Sequence, residues 1–261
     1  MPVATPTNVR EGFRTVTPYI TVPEGAEVIE FLKQTFHAEE TFRASAPEGG
    51  FHAEVRIEDS MLMIGGGEML RGRSRPNAFH LYLADCDAAY ERALEAGAKS
   101  LGEPGDRPYG ERSAYVEDVA GNHWYIATRF AGTEAPAGMG TVTPFLHARS
   151  APELVGFLER AFGAVELDRH VEGGRVMHTA VRIGDAILEM GEVEDQERPI
   201  HFPATYYLNV DDADAWYRRA IAAGAKSLQE PADQPYGVRM GGVEDPLGNQ
   251  WFPATPLRAG A

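Results

Sequence analysis

This chain repeats itself almost in register. Thr15-Val16-Thr17-Pro18-Tyr19 returns as Thr141-Val142-Thr143-Pro144-Phe145, 126 residues later (141 − 15). Gly97-Ala98-Lys99-Ser100-Leu101 returns as Gly224 to Leu228, and Pro108-Tyr109-Gly110 as Pro235-Tyr236-Gly237. Glu117-Asp118-x-x-Gly121-Asn122-x-Trp124 returns as Glu244-Asp245-x-x-Gly248-Asn249-x-Trp251, the offset now being 127 (244 − 117). A single inserted residue over that length means two copies of one module. Positions the copies share report the scaffold, and positions where they differ report its use.

Within a copy the hydrophobic pattern changes period several times. Residues 15–22 alternate, with Val16, Ile20 and Val22 on one face and Thr17, Tyr19 and Thr21 on the other, which predicts a half-buried strand. Val28, Ile29, Leu32 and Phe36 then form a stripe at helical spacing. The second copy adds a capping box, Ser150 three before Glu153, with Pro152 in the first turn, ahead of Leu154, Val155, Leu158 and Phe162. Three short strands follow, near 39–46, 51–58 and 61–65. The pattern then restarts with Phe79, Leu81 and Leu83, a helix from about Asp87 to Ala96 closed by Gly97, and three more strands ending at Trp124 and Ile126. Each module is therefore two βαβββ units, and the chain is an α+β protein of four. The boundaries predicted are an N-terminal extension 1–14, a first module 15–128, a Gly/Ala/Pro-rich linker 129–140 and a second module 141–256.

Composition narrows the function classes. A formal charge of −15 opposes a grip on phosphate backbones, so nucleic acid is not an expected partner. An acidic surface favours cationic ligands. The sole cysteine, Cys86, excludes an intrachain disulfide and cysteine-based zinc sites, and reads as a small filler near a helix start. Residues 1–14 hold no apolar signal-peptide core and no run is long enough to span a bilayer, so a cytoplasmic protein without a membrane partner is the default.

Twice βαβββ in about 125 residues, the T-P-Y and T-P-F starts, His52-Ala53-Glu54-Val55-Arg56-Ile57 and the E-D-x-x-G-N-x-W endings resemble the vicinal oxygen chelate superfamily, in its PhnB-like glyoxalase/bleomycin resistance/dioxygenase branch. The resemblance runs from Thr15 to Thr255. It implies a curved sheet in each module, helices on the convex side and a ligand cleft on the concave side, with the two modules packed as an intrachain pseudo-dimer and room for further homodimerisation. Metal-dependent members place His, Glu or Gln ligands on the first, fourth, fifth and eighth strands. Carried over, those positions are Thr17, Met63, Ala78 and Tyr125 in the first module, and Thr143, Glu189, Thr205 and Phe252 in the second. Only Glu189 is a suitable ligand and a catalytic metal needs about three, so no cofactor is expected and a divalent metal is disfavoured.

Strand parity assigns the side chains facing the cleft. The ligand-binding candidates are Tyr19, His52, Arg56, Met63, His80, Tyr82 and Tyr125 in the first module, with Phe145, His147, His178, Arg182, Glu189, Tyr207 and Phe252 in the second. His52 and His178 each precede an arginine by four, on one strand face, and could present imidazole and guanidinium together to an anion; equally, the pair could recur because the scaffold does. His147 and Glu189 could form a general-base pair, with His178 a further catalytic candidate. Tyr109 and Tyr236 are read as packing residues of a turn, and Glu68 to Asn77 as a solvated loop that could act as a lid. The functional expectation is a protein that binds a small aromatic or cationic molecule without the usual metal. The alternative is a lyase, isomerase or dioxygenase with an atypical site around His147 and Glu189. Because the copies part company in the clefts, at Thr21 against His147, Met63 against Glu189, His80 against Tyr207 and Tyr125 against Phe252, the second is the better candidate to act.

Overall fold

The computed structural model describes residues 6–7, 9–132, 138–192 and 203–257. The middle of the predicted linker and most of the start of the N-terminal extension lie outside them. The elements run β1 (Val16–Thr21), α1 (Gly25–Phe36), β2 (Glu39–Ser45), β3 (Phe51–Ile57), β4 (Ser60–Gly66), β5 (Ala78–Tyr82), α2 (Cys86–Glu95), β6 (Lys99–Arg107), β7 (Glu111–Glu117) and β8 (His123–Arg129). The second copy repeats them as β9 (Val142–Ala148), α3 (Ala151–Phe162), β10 (Val165–Glu172), β11 (Arg175–Ile183), β12 (Ala186–Glu192), β13 (Thr205–Asn209), α4 (Ala213–Ala222), β14 (Lys226–Asp233), β15 (Val238–Glu244) and β16 (Gln250–Pro256). This is four βαβββ units. The strands form two eight-stranded mixed sheets, ordered β14-β15-β16-β13-β1-β4-β3-β2 and β10-β11-β12-β9-β5-β8-β7-β6. The chain divides into two compact units, residues 19–145 and residues 1–18 with 146–261.

In the unit 19–145, α1 and α2 bury Val28, Ile29, Leu32, Phe36, Ala89 and Ala93 against the alternate strand residues Ile20, Val55, Leu62, Phe79, Ala114, Trp124 and Ile126. Helix α2 starts one residue earlier than its apolar pattern suggests. The Asp85 carboxylate accepts the Ala88 N–H at 3.0 Å and caps it there. Cys86 is buried under this helix, its thiol pushed up to about 11 by that burial. In the unit 1–18 with 146–261, Ser150 caps α3 by accepting the Glu153 N–H at 3.4 Å, and Gly163 ends it at φ 65°. The core there joins Leu154, Leu158 and Phe162 to Val181, Leu188, Tyr206, Leu208 and Trp251.

The turns before β8 and β16 are more than backbone geometry. Asp118 accepts hydrogen bonds from the Ala120 N–H (2.9 Å), the Asn122 N–H (3.0 Å), Asn122 Nδ2 (2.8 Å) and Trp124 Nε1 (3.0 Å). Asn122 Oδ1 in turn accepts the Asn77 N–H at 2.9 Å, tying the start of β5 to β8. Asp245 repeats the arrangement with Leu247, Asn249 and Trp251. Burial pushes both carboxyls up while these donors pull them down.

A second repeated turn joins the third strand of each module to the fourth. Asp59 accepts the Thr141 N–H at 2.8 Å, and Asp185 accepts the Thr15 N–H at 2.8 Å and its hydroxyl at 2.7 Å. The residue before each aspartate is left-handed: Gly184 at φ 59°, but Glu58 at φ 50°. A non-glycine residue there costs about 1–2 kcal/mol, partly offset by the chain entropy a glycine would lose. Glu58→Gly should therefore raise stability by about 0.5–1 kcal/mol in chemical denaturation. Gly184→Glu should lower it, because a Cβ at Gly184 would lie 2.2 Å from Thr15 Oγ1.

Candidate functional site

Strand alternation that buries one face under the helices leaves the other half-buried: Tyr19, His52, His80, Tyr82, Tyr115, Tyr125 and Phe145 all keep partial exposure. In the unit 19–145 the polar side chains of the helix-free faces organise into two three-residue chains, one on each of the two sheets. In the first, the Tyr19 hydroxyl is 3.0 Å from His52 Nδ1, and His52 Nε2 is 3.6 Å from the Glu54 carboxylate, which is 6% exposed. Tyr19 passes over Gly65, the register partner of His52, on its way across β4. A Cβ there would sit 3.4 Å from the Tyr19 ring and hydroxyl.

The second chain lies on β5 and β7. The Tyr82 hydroxyl is 3.1 Å from His80 Nδ1, and His80 Nε2 is 3.5 Å from the Glu111 carboxylate, 5% exposed. A carboxylate this near Nε2 is placed to pair with a protonated ring, while Nδ1 faces the tyrosine hydroxyl. Arg129 Cζ lies 3.6 Å over the Tyr82 ring, and the His80 ring packs on Tyr82 at 4.3 Å. Tyr115, Tyr125 and Phe145 extend the wall, with ring centroids 4.8 and 5.3 Å apart in turn. Arg107 lies over Tyr115 and donates to Ser113 Oγ at 3.0 Å. Burial raises the Tyr125 phenol.

The second module keeps one such chain, and its members differ. His178 Nδ1 is 3.3 Å from Asp168 and its Nε2 is 3.4 Å from Glu189, 2% exposed. Glu54 and Met63 face each other across β3 and β4; Ala180 and Glu189 face each other across β11 and β12. The carboxylate has thus moved to the neighbouring strand while the histidine keeps a buried acid. At the places of His80, Tyr82, Glu111, Ser113, Tyr115 and Arg129 stand Tyr207, Asn209, Val238, Met240, Gly242 and Pro256. Phe252 leans over Gly242, where a Cβ would meet its ring at 2.7 Å.

Several sequence expectations change here. Glu189 has His178, the further catalytic candidate, 3.4 Å away, and His147 is buried on β9. Arg56 is exposed and hydrogen-bonds Glu39, so it does not join His52 in an anion site, and Arg182 reaches the Gly184 carbonyl at 3.5 Å. Met63 is buried at 3% exposure. Tyr109 and Tyr236 are each 63% exposed rather than packed, with the Tyr109 hydroxyl turned toward Tyr115 and Ser113. The loop Glu68 to Asn77 is solvent-exposed from Arg71 to Ser74, as the charged-loop reading expects, and the Thr21–Arg75 bridge fastens its later part to β1. Glu111, Ser113 and Tyr115 are absent from the sequence-based site, although the alternation with Ala114 and Val116 placed them on the same face.

Residues 14–126 and 142–252 each match the domain described as the glyoxalase/bleomycin resistance protein/dioxygenase superfamily. The chain belongs to this superfamily. An uncharacterised Mycobacterium bovis protein is 32% identical over 122 residues, 42% of this chain and 80% of that protein. A Mycobacterium tuberculosis protein provisionally named glyoxylase CFP32 is 27% identical over 180 residues, 66% of this chain and 67% of its own length. Glyoxalase I from Zea mays shares the fold at a TM-score of 0.70 and 15% identity, covering 92% of each chain.

The metal of many superfamily members does not fit the donors present. Thr17, Met63, Ala78 and Tyr125, and Thr143, Thr205 and Phe252, offer hydroxyls, a thioether and apolar groups, with Glu189 the one carboxylate. Among the described residues, no group of three or more His, Cys, Asp or Glu is placed to hold a metal ion. Nor, among them, is any helix long and apolar enough to cross a membrane.

Proposed function

We propose that this superfamily member binds a small aromatic organic molecule on the wall formed by β5, β7, β8 and β9, without a divalent metal. The observation that carries this reading is the run of half-buried rings, Tyr82, Tyr115, Tyr125 and Phe145, beside a buried His80–Glu111 pair. Apolar surface with a few converging polar groups is how small-molecule sites gain affinity and orientation. Arg107 and Arg129 outnumber Glu111 on this wall, so a neutral or anionic polar end fits better than the cation favoured by the whole-chain charge. A second reading, an enzyme with an atypical site around His147 and Glu189 in the second module, is supported by the Asp168–His178–Glu189 chain, which sets a second histidine beside the same buried carboxylate.

Thermal-shift measurements against benzoate, phenol and benzylamine, on protein whose metal content is measured, test the proposal. At least one probe should raise the melting temperature with rising concentration, since a ligand of the folded state must stabilise it. Tyr125→Ala should weaken that probe by about tenfold, the loss of one stacked ring being about 1–1.5 kcal/mol. No response to any aromatic probe, or a response that requires added divalent ion, would overturn it.

A further inference from the structure

The two Tyr–His–Glu chains of the first module are not copies of each other in the way the fold is. In the first half the tyrosine comes from β1 and both histidine and glutamate from β3. In the second half tyrosine and histidine come from β5 and the glutamate from β7. The histidine has changed strands, yet the atom order is the same: tyrosine hydroxyl to Nδ1, Nε2 to carboxylate. Scaffold repetition does not produce that, because a scaffold repeats positions and here the positions differ. In the second chain a guanidinium, that of Arg129, lies over the phenol ring.

We propose that Tyr82 is a general acid–base residue for an enolisable aromatic carbonyl compound, with His80, Glu111 and Arg129 as its positioning residues. This rests on the binding wall proposed above. His80 Nδ1 takes the phenol proton, and the resulting imidazolium lies between the phenolate and the Glu111 carboxylate. Arg129 over the ring stabilises the phenolate by its positive charge. The phenolate removes a proton from the carbon beside the carbonyl; that C–H bond breaks, its electron pair passes to the carbonyl oxygen as an enolate, and the Tyr82 O–H re-forms. Tyr82 then returns a proton to carbon, and His80 returns its own to Tyr82. Nothing is oxidised or reduced, and no co-reactant is consumed. The wall supplies a phenol, an imidazole, a carboxylate and aromatic surface, and no thiol or amine, so a proton shift is the step its own groups can carry. The Glu111 carboxylate, 3.5 Å from His80 Nε2, is placed to pair with the ring once it carries the second proton.

The test follows loss of the C2 protons of 2-hydroxyacetophenone in D2O by proton NMR, with binding of the same probe measured by titration calorimetry. The whole chain should exchange these protons faster than buffer. Tyr82→Phe should lower the rate by about a hundredfold while binding is kept. His80→Gln and Glu111→Gln should lower the turnover rate and leave KM nearly unchanged. Binding without catalysed exchange, or exchange unchanged in Tyr82→Phe, would overturn the inference and leave the binding wall standing. Absence of binding to this probe and to every aromatic probe above would overturn both.

Discussion

Asp118→Ala should lower the stability of the chain by about 3–5 kcal/mol, among the largest costs expected of a single polar substitution. The carboxylate is 4% exposed and gathers two backbone N–H groups, the Asn122 amide and the Trp124 indole. Removing it leaves those donors buried without their acceptor, at about 1–3 kcal/mol each before relaxation. The burial that raises the Asp118 carboxyl moderates the total, since a carboxylate in that place carries its own desolvation cost. In thermal denaturation the melting temperature should fall by roughly 10 °C. Asp118→Asn should fall less, because one acceptor oxygen remains while the amide N–H₂ faces other donors. An unchanged melting temperature for Asp118→Ala would mean the hub is dispensable.

Trp251→Ala should be comparably severe in the other compact unit, at about 3–5 kcal/mol. The indole is fully buried, stacked on Tyr206 at 4.6 Å and 25°, with the Phe162 ring 5.3 Å away and Nε1 donating to Asp245 at 2.9 Å. Alanine removes the largest side chain from that core and leaves a cavity among rings that cannot collapse far. Trp251→Phe separates the contributions. It keeps most of the apolar contact and loses the hydrogen bond to Asp245, so about 1–2 kcal/mol is expected. Equal losses for alanine and phenylalanine in urea titrations would show that the hydrogen bond, and not the packing, dominates.

The four βαβββ units were legible in the sequence because their signals are local or repeated, but the expected sheet within each module was not found: each sheet joins a unit of the first copy to a unit of the second. Helical stripes such as Leu154, Val155, Leu158 and Phe162, the Ser150 cap and the alternation of β1 and β5 each need only a few consecutive residues. The repeat then confirmed each element once more. The site was legible in part. Parity placed Tyr19, His52, His80 and Tyr82 on the right face, but which of them touch depends on cross-strand register. Tyr19 meets His52 33 positions away, and His80 meets Glu111 31 positions away (111 − 80). No local pattern encodes either distance. Glu111, Ser113 and Tyr115 alternate with the buried Ala114 and Val116 on β7, a parity that is local, but the meeting of Glu111 with His80 is not. The preference for the second module rests on cleft differences such as Glu189 for Met63 and His147 for Thr21, which say nothing of which side chains meet. The geometry shows two complete Tyr–His–Glu chains in the first module and an Asp–His–Glu chain in the second.

Histidine-resolved NMR during titration with the tightest aromatic probe tests the central claim most directly. With the chain's histidines assigned by substitution, the ligand should move the imidazole signals of His80 progressively to saturation while those of His178 and His147 stay in place. Saturating shifts at His178 or His147, with His80 unmoved, would place the site in the second module and contradict the account.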